Sequence, residues 1–252
     1  MIAGELHISV GAMVPFGGMT VAIIAGHFGL SIWLAIAVTL GFGVIVGLVN
    51  GIMVVCTAVP SLIITLGSLF AVQGILLGLI VLVTKSTNVA LKTEGPAKAI
   101  FGDFIAGGQL QSIFAWWLAL AAIYIFFIHY SRYGNWIFAM GGDKASARNA
   151  GIPTERMTTL LFVLSSTSAA FVGMCQAMQF NSAQVAGGQS FIFNSIISVV
   201  VGGVLLTGGF GSVVGIFFGT VTFAIVNQGI YYTDFDRNWS SLIIGVLLLV
   251  AV

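Results

Sequence analysis

Eight neutral polar side chains stand within or beside otherwise apolar runs: Asn50, Thr65, Gln73, Asn181, Gln184, Asn194, Asn227 and Gln228. Amides and hydroxyls can both donate and accept hydrogen bonds and carry no charge. Such a set suits a path for a neutral, hydroxyl-rich solute, which needs exchangeable donors and acceptors. The same groups can also join helices to one another, at about 1 kcal/mol or less per bond. On the residues alone both roles stay open.

Reactive chemistry is scarce. The chain has no G-x-x-x-x-G-K-[ST] phosphate loop and no H-E-x-x-H metal motif. Cys56 and Cys175 sit in apolar runs without metal or disulfide spacing. Ser165, Ser166 and Ser168 share a helical stretch with no His or Asp neighbour in sequence, so nucleophilic catalysis has no support. Glu5 and His7 are the only acidic and imidazole groups near one another. His27 and His129 fall at expected helix ends. No catalytic residue, metal or cofactor is expected. Coupled carriers and pumps usually place ionisable groups at membrane depth, and this chain shows no clear pair there.

Charge gathers in one place. Residues 132–156 hold six of the fifteen charged residues in a chain that is 6% charged. The flanking runs, 104–131 and 157–233, carry no Asp, Glu, Lys or Arg. Each such charge would cost roughly 3 kcal/mol in hydrocarbon, so the stretch lies in water. Arg132, Lys144, Arg148 and Arg156 outnumber Asp143 and Glu155, which marks a cytosolic loop. Asp143 can cap a short helix over 144–150. Gly151 suits the left-handed residue that ends it. Pro153 then opens the next helix, with Glu155 at its positive end. Gly141 and Gly142 supply a hinge before it.

The elements around this loop follow from hydropathy. The 252 residues are 59% hydrophobic, with net charge +1 and mean hydropathy +1.13. A soluble domain would carry about a quarter charged residues. Nucleic-acid binding has no electrostatic support. At about 20 residues per crossing, the uncharged run 6–84 fits three helices, near 11–27, 31–55 and 60–83. A polar connection at 85–111 faces outside. One helix at 112–130 leads to the cytosolic loop, and 157–178 crosses outward. The segment 193–206 is apolar but too short to span, which marks a helix lining a cavity or buried in protein. Another crossing runs over 213–229. An outer loop at 231–240 precedes an apolar end at 242–252. Gly41, Gly43, Gly47 and Gly51 mark a close-packing face. The fold class is all-α: a polytopic transmembrane helix bundle with a short cytosolic helix and short or re-entrant helices, in a single domain over 1–252.

A resemblance rests on several stretches. Residues 134–143 (GNWIFAMGGD) and 147–152 (ARNAGI) resemble the coupling segment of ribose-type sugar permeases, the membrane subunits of bacterial ATP-binding cassette importers. Residues 4–11 (GELHISVG), 59–67 (VPSLIITLG), 201–203 (VGG) and 208–212 (GGFGS) are similar to further segments of that family, in the expected order. The resemblance implies a multi-pass protein of the bacterial inner (plasma) membrane that carries a monosaccharide or similar solute. It implies an ATPase subunit, an external sugar-binding protein and a second permease copy, identical or not, besides membrane lipid. It makes Gly134, Asn135, Ala139, Gly141, Gly142, Asp143, Lys144, Ala147, Arg148, Gly151 and Ile152 the ATPase-coupling residues. The family carries further helices before the segment matching 4–11, so the chain is expected to be a piece shortened at both ends. A channel or secondary carrier, and a structural or enzymatic membrane protein, are the competing classes. ATP dependence of uptake separates the first of these, and turnover of a lipid substrate the second.

Overall fold

The computed structural model describes residues 1–57, 59–92, 95–105 and 107–230, together with 232, 242, 245 and 246. The expected outer loop at 231–240 and apolar end at 242–252 lie, but for those four single positions, outside the described residues.

Helix α1 (Val10–Val21) passes into one π-helical turn (Ala22–His27), and α2 (Ile32–Cys56) and α3 (Ser61–Thr84) follow. The connection contains β1 (Asn88–Ala90), α4 (Pro96–Phe101), β2 (Phe104–Ile105) and β3 (Leu110–Gln111). Then come α5 (Ser112–His129), α6 (Arg132–Gly142), α7 (Lys144–Asn149) and α8 (Thr154–Phe180). β4 (Ser182–Gln184), α9 (Gly188–Val201) and α10 (Val213–Ile230) complete the order. Among the described residues, five stretches are long and apolar enough to cross a membrane: α1 with its π turn, α2, α3, α5 and α8. Their apolar side chains face outward as well as inward. Ile45 and Ile52 on α2, Phe70 and Leu82 on α3 and Phe126 on α5 are all more than half exposed. Helices apolar on every side fit a hydrocarbon solvent. The protein is a multi-pass membrane helix bundle of the all-α class, with only four very short strands among the described residues.

The spanning helices begin and end within a few residues of the hydropathy boundaries. Three local expectations change. The short helix runs over Gly188–Val201, five residues before the expected stretch, because Gly202 and Gly203 end it and Gly203 takes φ +78°. Residues 132–142 are helical, so Gly141 and Gly142 are no hinge but the last turn of α6. α8 starts at Thr154, which leaves Pro153 just outside it.

The chain forms two compact units. The larger comprises residues 6–119 and 155–192. Its core gathers Met19, Val21, Ile80, Leu91, Met174 and Met178, all fully buried. α8 is its axis. A Cβ at Gly43, Gly47 or Gly51 of α2 would come within 2.9, 2.5 or 2.7 Å of the α8 backbone at Thr167, Val163 or Thr159. Only glycine allows that approach, and close approach is what holds helices together in lipid. Gly41, expected on the same face, has open space beside it and lies off the seam. α1 meets α8 similarly, through Gly17, Gly18 and Gly173. β1 pairs antiparallel with β4, joining Asn88 to Gln184 and Ala90 to Ser182. That pairing fastens the expected outer connection to the segment leaving α8. Lys98 Nζ reinforces it by donating to Asn181 Oδ1 at 2.9 Å.

The smaller unit comprises residues 1–5, 120–154 and 193–252. Within it α9 and α10 cross at glycines: a Cβ at Gly202 would sit 2.7 Å from the Gly215 carbonyl oxygen.

Candidate coupling element and solute path

The charged stretch folds into two helices set end to end. Ser131 caps α6, its hydroxyl accepting from the Tyr133 N–H at 3.2 Å. Gly134, Ile137 and Met140, spaced three apart, form the buried face of α6. A Cβ at Gly134 would collide with the Ile128 carbonyl, so glycine there lets α6 fold back on the end of α5. Asn135 and Ala139 face outward. Arg132 lies over the rings of Tyr133 and Trp136, 5.3 and 5.7 Å from their centroids.

Asp143 breaks α6 and starts α7. Its carboxylate accepts from the backbone N–H groups of Ala145 (3.1 Å) and Ser146 (3.2 Å) and from the Ser146 hydroxyl. That hydroxyl first, and the two N–H groups with it, hold the carboxyl below its ordinary pKa. The far end closes as a Schellman motif. Gly151, at φ +84°, donates to the Arg148 carbonyl at 3.0 Å, and Ile152 donates to the Ala147 carbonyl at 3.1 Å. Of α7 only Ala147 is buried. Ala145, Ser146, Arg148, Asn149, Ala150 and Gly151 present an exposed face of small and polar groups.

α7 is tethered. Lys144 Nζ donates to Glu5 Oε1 at 2.6 Å, with the two side chains 41% and 19% exposed. Lys144 is thus paired within its own chain, while its side chain stays partly exposed. Beside this pair three backbones touch. Gly209 N–H donates to the Ile2 carbonyl at 2.9 Å. A Cβ at Gly141 would strike both the Ile2 oxygen and the Gly209 nitrogen. One at Gly208 would come within 2.7 Å of Gly4. The N-terminal turn, the end of α6 and the 208–209 turn thus form a single glycine-built knot. Nearby in the same unit, His129 Nε2 accepts the Val213 N–H at 3.2 Å, capping the start of α10.

The expected path residues fall into groups. Asn50 and Thr65 are fully buried and come together through residues 6–9. Thr65 Oγ1 accepts the Ile8 N–H at 3.2 Å, and Asn50 Nδ2 donates to Ser9 Oγ at 3.0 Å. Ser9 also meets His7 Nε2 at 2.7 Å, and Ser166 Oγ approaches the same nitrogen at 3.4 Å. Burial keeps His7 neutral, its pKa pushed down to about 4. His7 Nδ1 and Asn50 Oδ1 have no hydrogen-bond partner among the described residues. Asn181 immediately precedes β4 and Gln184 is its last residue, and both are exposed. Gln73 is exposed on α3. Asn194 and Asn227 are half-buried on α9 and α10, and Gln228 is exposed. Among the described residues no three His, Cys, Asp or Glu side chains gather as a metal site.

Sequence reasoning missed the Glu5–Lys144 pair, the buried His7 cluster and the His129 cap. Glu5 and Lys144 are 139 positions apart. The signal available was scarcity: in so uncharged a chain, each charged side chain invites a search for its partner.

Comparison with known proteins accords with this geometry. Across its full length, 100% of the chain aligns at 29% identity with 76% of the inner membrane ABC transporter permease protein YjfF of Escherichia coli K12. It aligns, again over 100%, at 27% identity with 77% of the ribose import permease protein RbsC of the same organism. The fructose import permease protein FrcC of Rhizobium meliloti matches at 26% identity, over 100% of this chain and 70% of the relative. No solved structure matches. The profile of one family, described as the permease component of branched-chain amino acid transport systems, covers residues 1–252. With that match over its whole length, the chain belongs to this family of transport-system permease components.

Proposed function

We propose that this permease component carries a monosaccharide or similar neutral polar solute across the inner membrane, as one of two copies around a common path. Its power comes from a separate ATPase subunit that docks on α7, and its solute arrives on an external binding protein. The relatives named for ribose and fructose import support the solute class. So does the chemistry of the chain, whose candidate path residues are amides and a hydroxyl rather than charges.

The observation that carries the coupling role is the build of α7. It is a short helix closed at both ends by Asp143 and Gly151, exposed over Ala145, Ser146, Arg148 and Ala150, and tied to the N-terminal turn by Lys144 and Glu5. A helix so bounded moves as one body. A plain connector needs neither two caps nor a tether. Force applied to α7 passes through the Lys144–Glu5 pair and the glycine knot to the turn before α10. The coupling residues are those of the 134–152 segment, with Glu5 added.

The test is reconstitution of this permease with a nucleotide-binding ATPase subunit and a sugar-binding protein of the same transporter. ATP-dependent uptake of labelled ribose, galactose or fructose is expected. Uptake that proceeds without ATP refutes the reading in favour of a channel or secondary carrier. A mass measurement showing one permease per assembly refutes the paired path.

A further inference from the structure

We infer that the cavity at the end of α8 nearest β4 is a sugar subsite, at which an incoming neutral monosaccharide first leaves water; this rests on the transport reading above. The cavity has a volume of about 280 Å³, just below the ~300–1,000 Å³ typical of sites for drug-sized ligands. It lies wholly within the larger unit. α8 brings Gln176 and Phe180 to its wall, β4 brings Ser182 and Gln184, and the first turn of α9 brings Phe191. Gly173 belongs to the floor, where a Cβ would meet the α1 backbone, so the pocket is bounded there by main chain.

The lining decides the chemistry. It holds two primary amides, one hydroxyl and two phenyl rings, and no ionisable side chain. Each amide offers both donors and an acceptor, which matches hydroxyl groups that themselves donate and accept. The rings offer apolar faces to the C–H face of a sugar. An amino acid zwitterion would find no carboxylate for its ammonium and no cation for its carboxylate, and unpaired charge is costly to take out of water. The cavity therefore favours a polyol over the amino acids for which the family profile is named. Its position fits the direction of transport. α8 leaves the cytosolic loop and its 27 residues span about 40 Å, so its far end and β4 lie on the external side.

Two measurements test this in the assembled transporter. First, Gln176→Leu is expected to lower maximal uptake of ribose, galactose or fructose about tenfold, on the scale of one lost hydrogen bond, with ATPase co-purification retained. If Gln176→Leu does not insert, Gln184→Leu at the exposed rim serves instead. Second, Ala186→Cys at the cavity rim, in a Cys56→Ser background, is treated with a membrane-impermeant maleimide from outside. Ribose, galactose or fructose is expected to slow labelling, and leucine is not. Protection by leucine alone overturns the solute class. Wild-type uptake by Gln176→Leu or Gln184→Leu, together with labelling unaffected by any sugar, overturns the subsite and leaves sugar transport standing. Absence of sugar uptake by the unmodified assembly overturns the transport reading, and the subsite with it.

Discussion

Gly141 and Gly142 are adjacent, both helical and both glycine, yet their surroundings demand opposite outcomes on substitution. At Gly141 a Cβ would collide with two backbone atoms, the Ile2 oxygen and the Gly209 nitrogen. Neither is the flexible end of a side chain, so the knot must open or α6 must shift. Overpacking of this kind costs about 1–3 kcal/mol, or roughly 5- to 150-fold in the equilibrium for the assembled knot. At Gly142 a Cβ meets nothing within 4 Å. There alanine removes a helical glycine, which favours the helix by about 0.5–1 kcal/mol. The assay is co-purification of the ATPase with each variant, followed by ATP-dependent uptake in proteoliposomes, with membrane insertion as the control. Gly141→Ala is expected to insert normally and lose most of its uptake. Gly142→Ala is expected to match or exceed the parent. Equal behaviour of the two variants, or full uptake by Gly141→Ala, refutes transmission through the glycine knot.

Four other outcomes follow from the same geometry. Gly151→Val places a β-branched residue at φ +84°, a strain of about 1–3 kcal/mol, and should weaken ATPase co-purification while Gly151→Asn is better tolerated. Glu5→Lys and Lys144→Glu should each reduce uptake and the double swap restore part of it; for a half-exposed pair the coupling is about 1 kcal/mol or less, and it should shrink at high salt. The Asp143 carboxyl is held below its ordinary pKa in the folded state, so its cap is fully present above the unfolded value and is lost as pH falls through the folded one; ATPase docking should weaken at acid pH in the parent, and Asp143→Asn, which lacks that titration, should show a flatter profile. Asn194→Leu on α9 should insert normally with reduced uptake, whereas unchanged uptake removes Asn194 from the path and lost expression assigns it to packing.

The boundaries of α2, α3, α5, α8 and α10 were legible in the sequence because each element alone must satisfy its backbone hydrogen bonds in lipid. A run of apolar residues without charge is both the cause and the sign of that. The caps of α7 were legible for the same reason: Asp143 and Gly151 act on backbone groups within a few residues, and local geometry needs only local sequence. Gly43, Gly47 and Gly51 announced a close-packed face, though not that α8 would fill it, nor that Gly41 would stand outside it. What only the tertiary structure decided were contacts between residues far apart in the chain. Glu5 reaches Lys144 across 139 positions, His7 joins Asn50 and Ser166, β1 pairs with β4, and Gly4, Gly141 and Gly208 meet in one knot. Composition carries no distance information for such pairs. Glycine in particular reads identically in sequence whether it ends a helix, as Gly203 does, lets two helices touch, as Gly47 does, or faces open space, as Gly142 does, because its function lies in what approaches it.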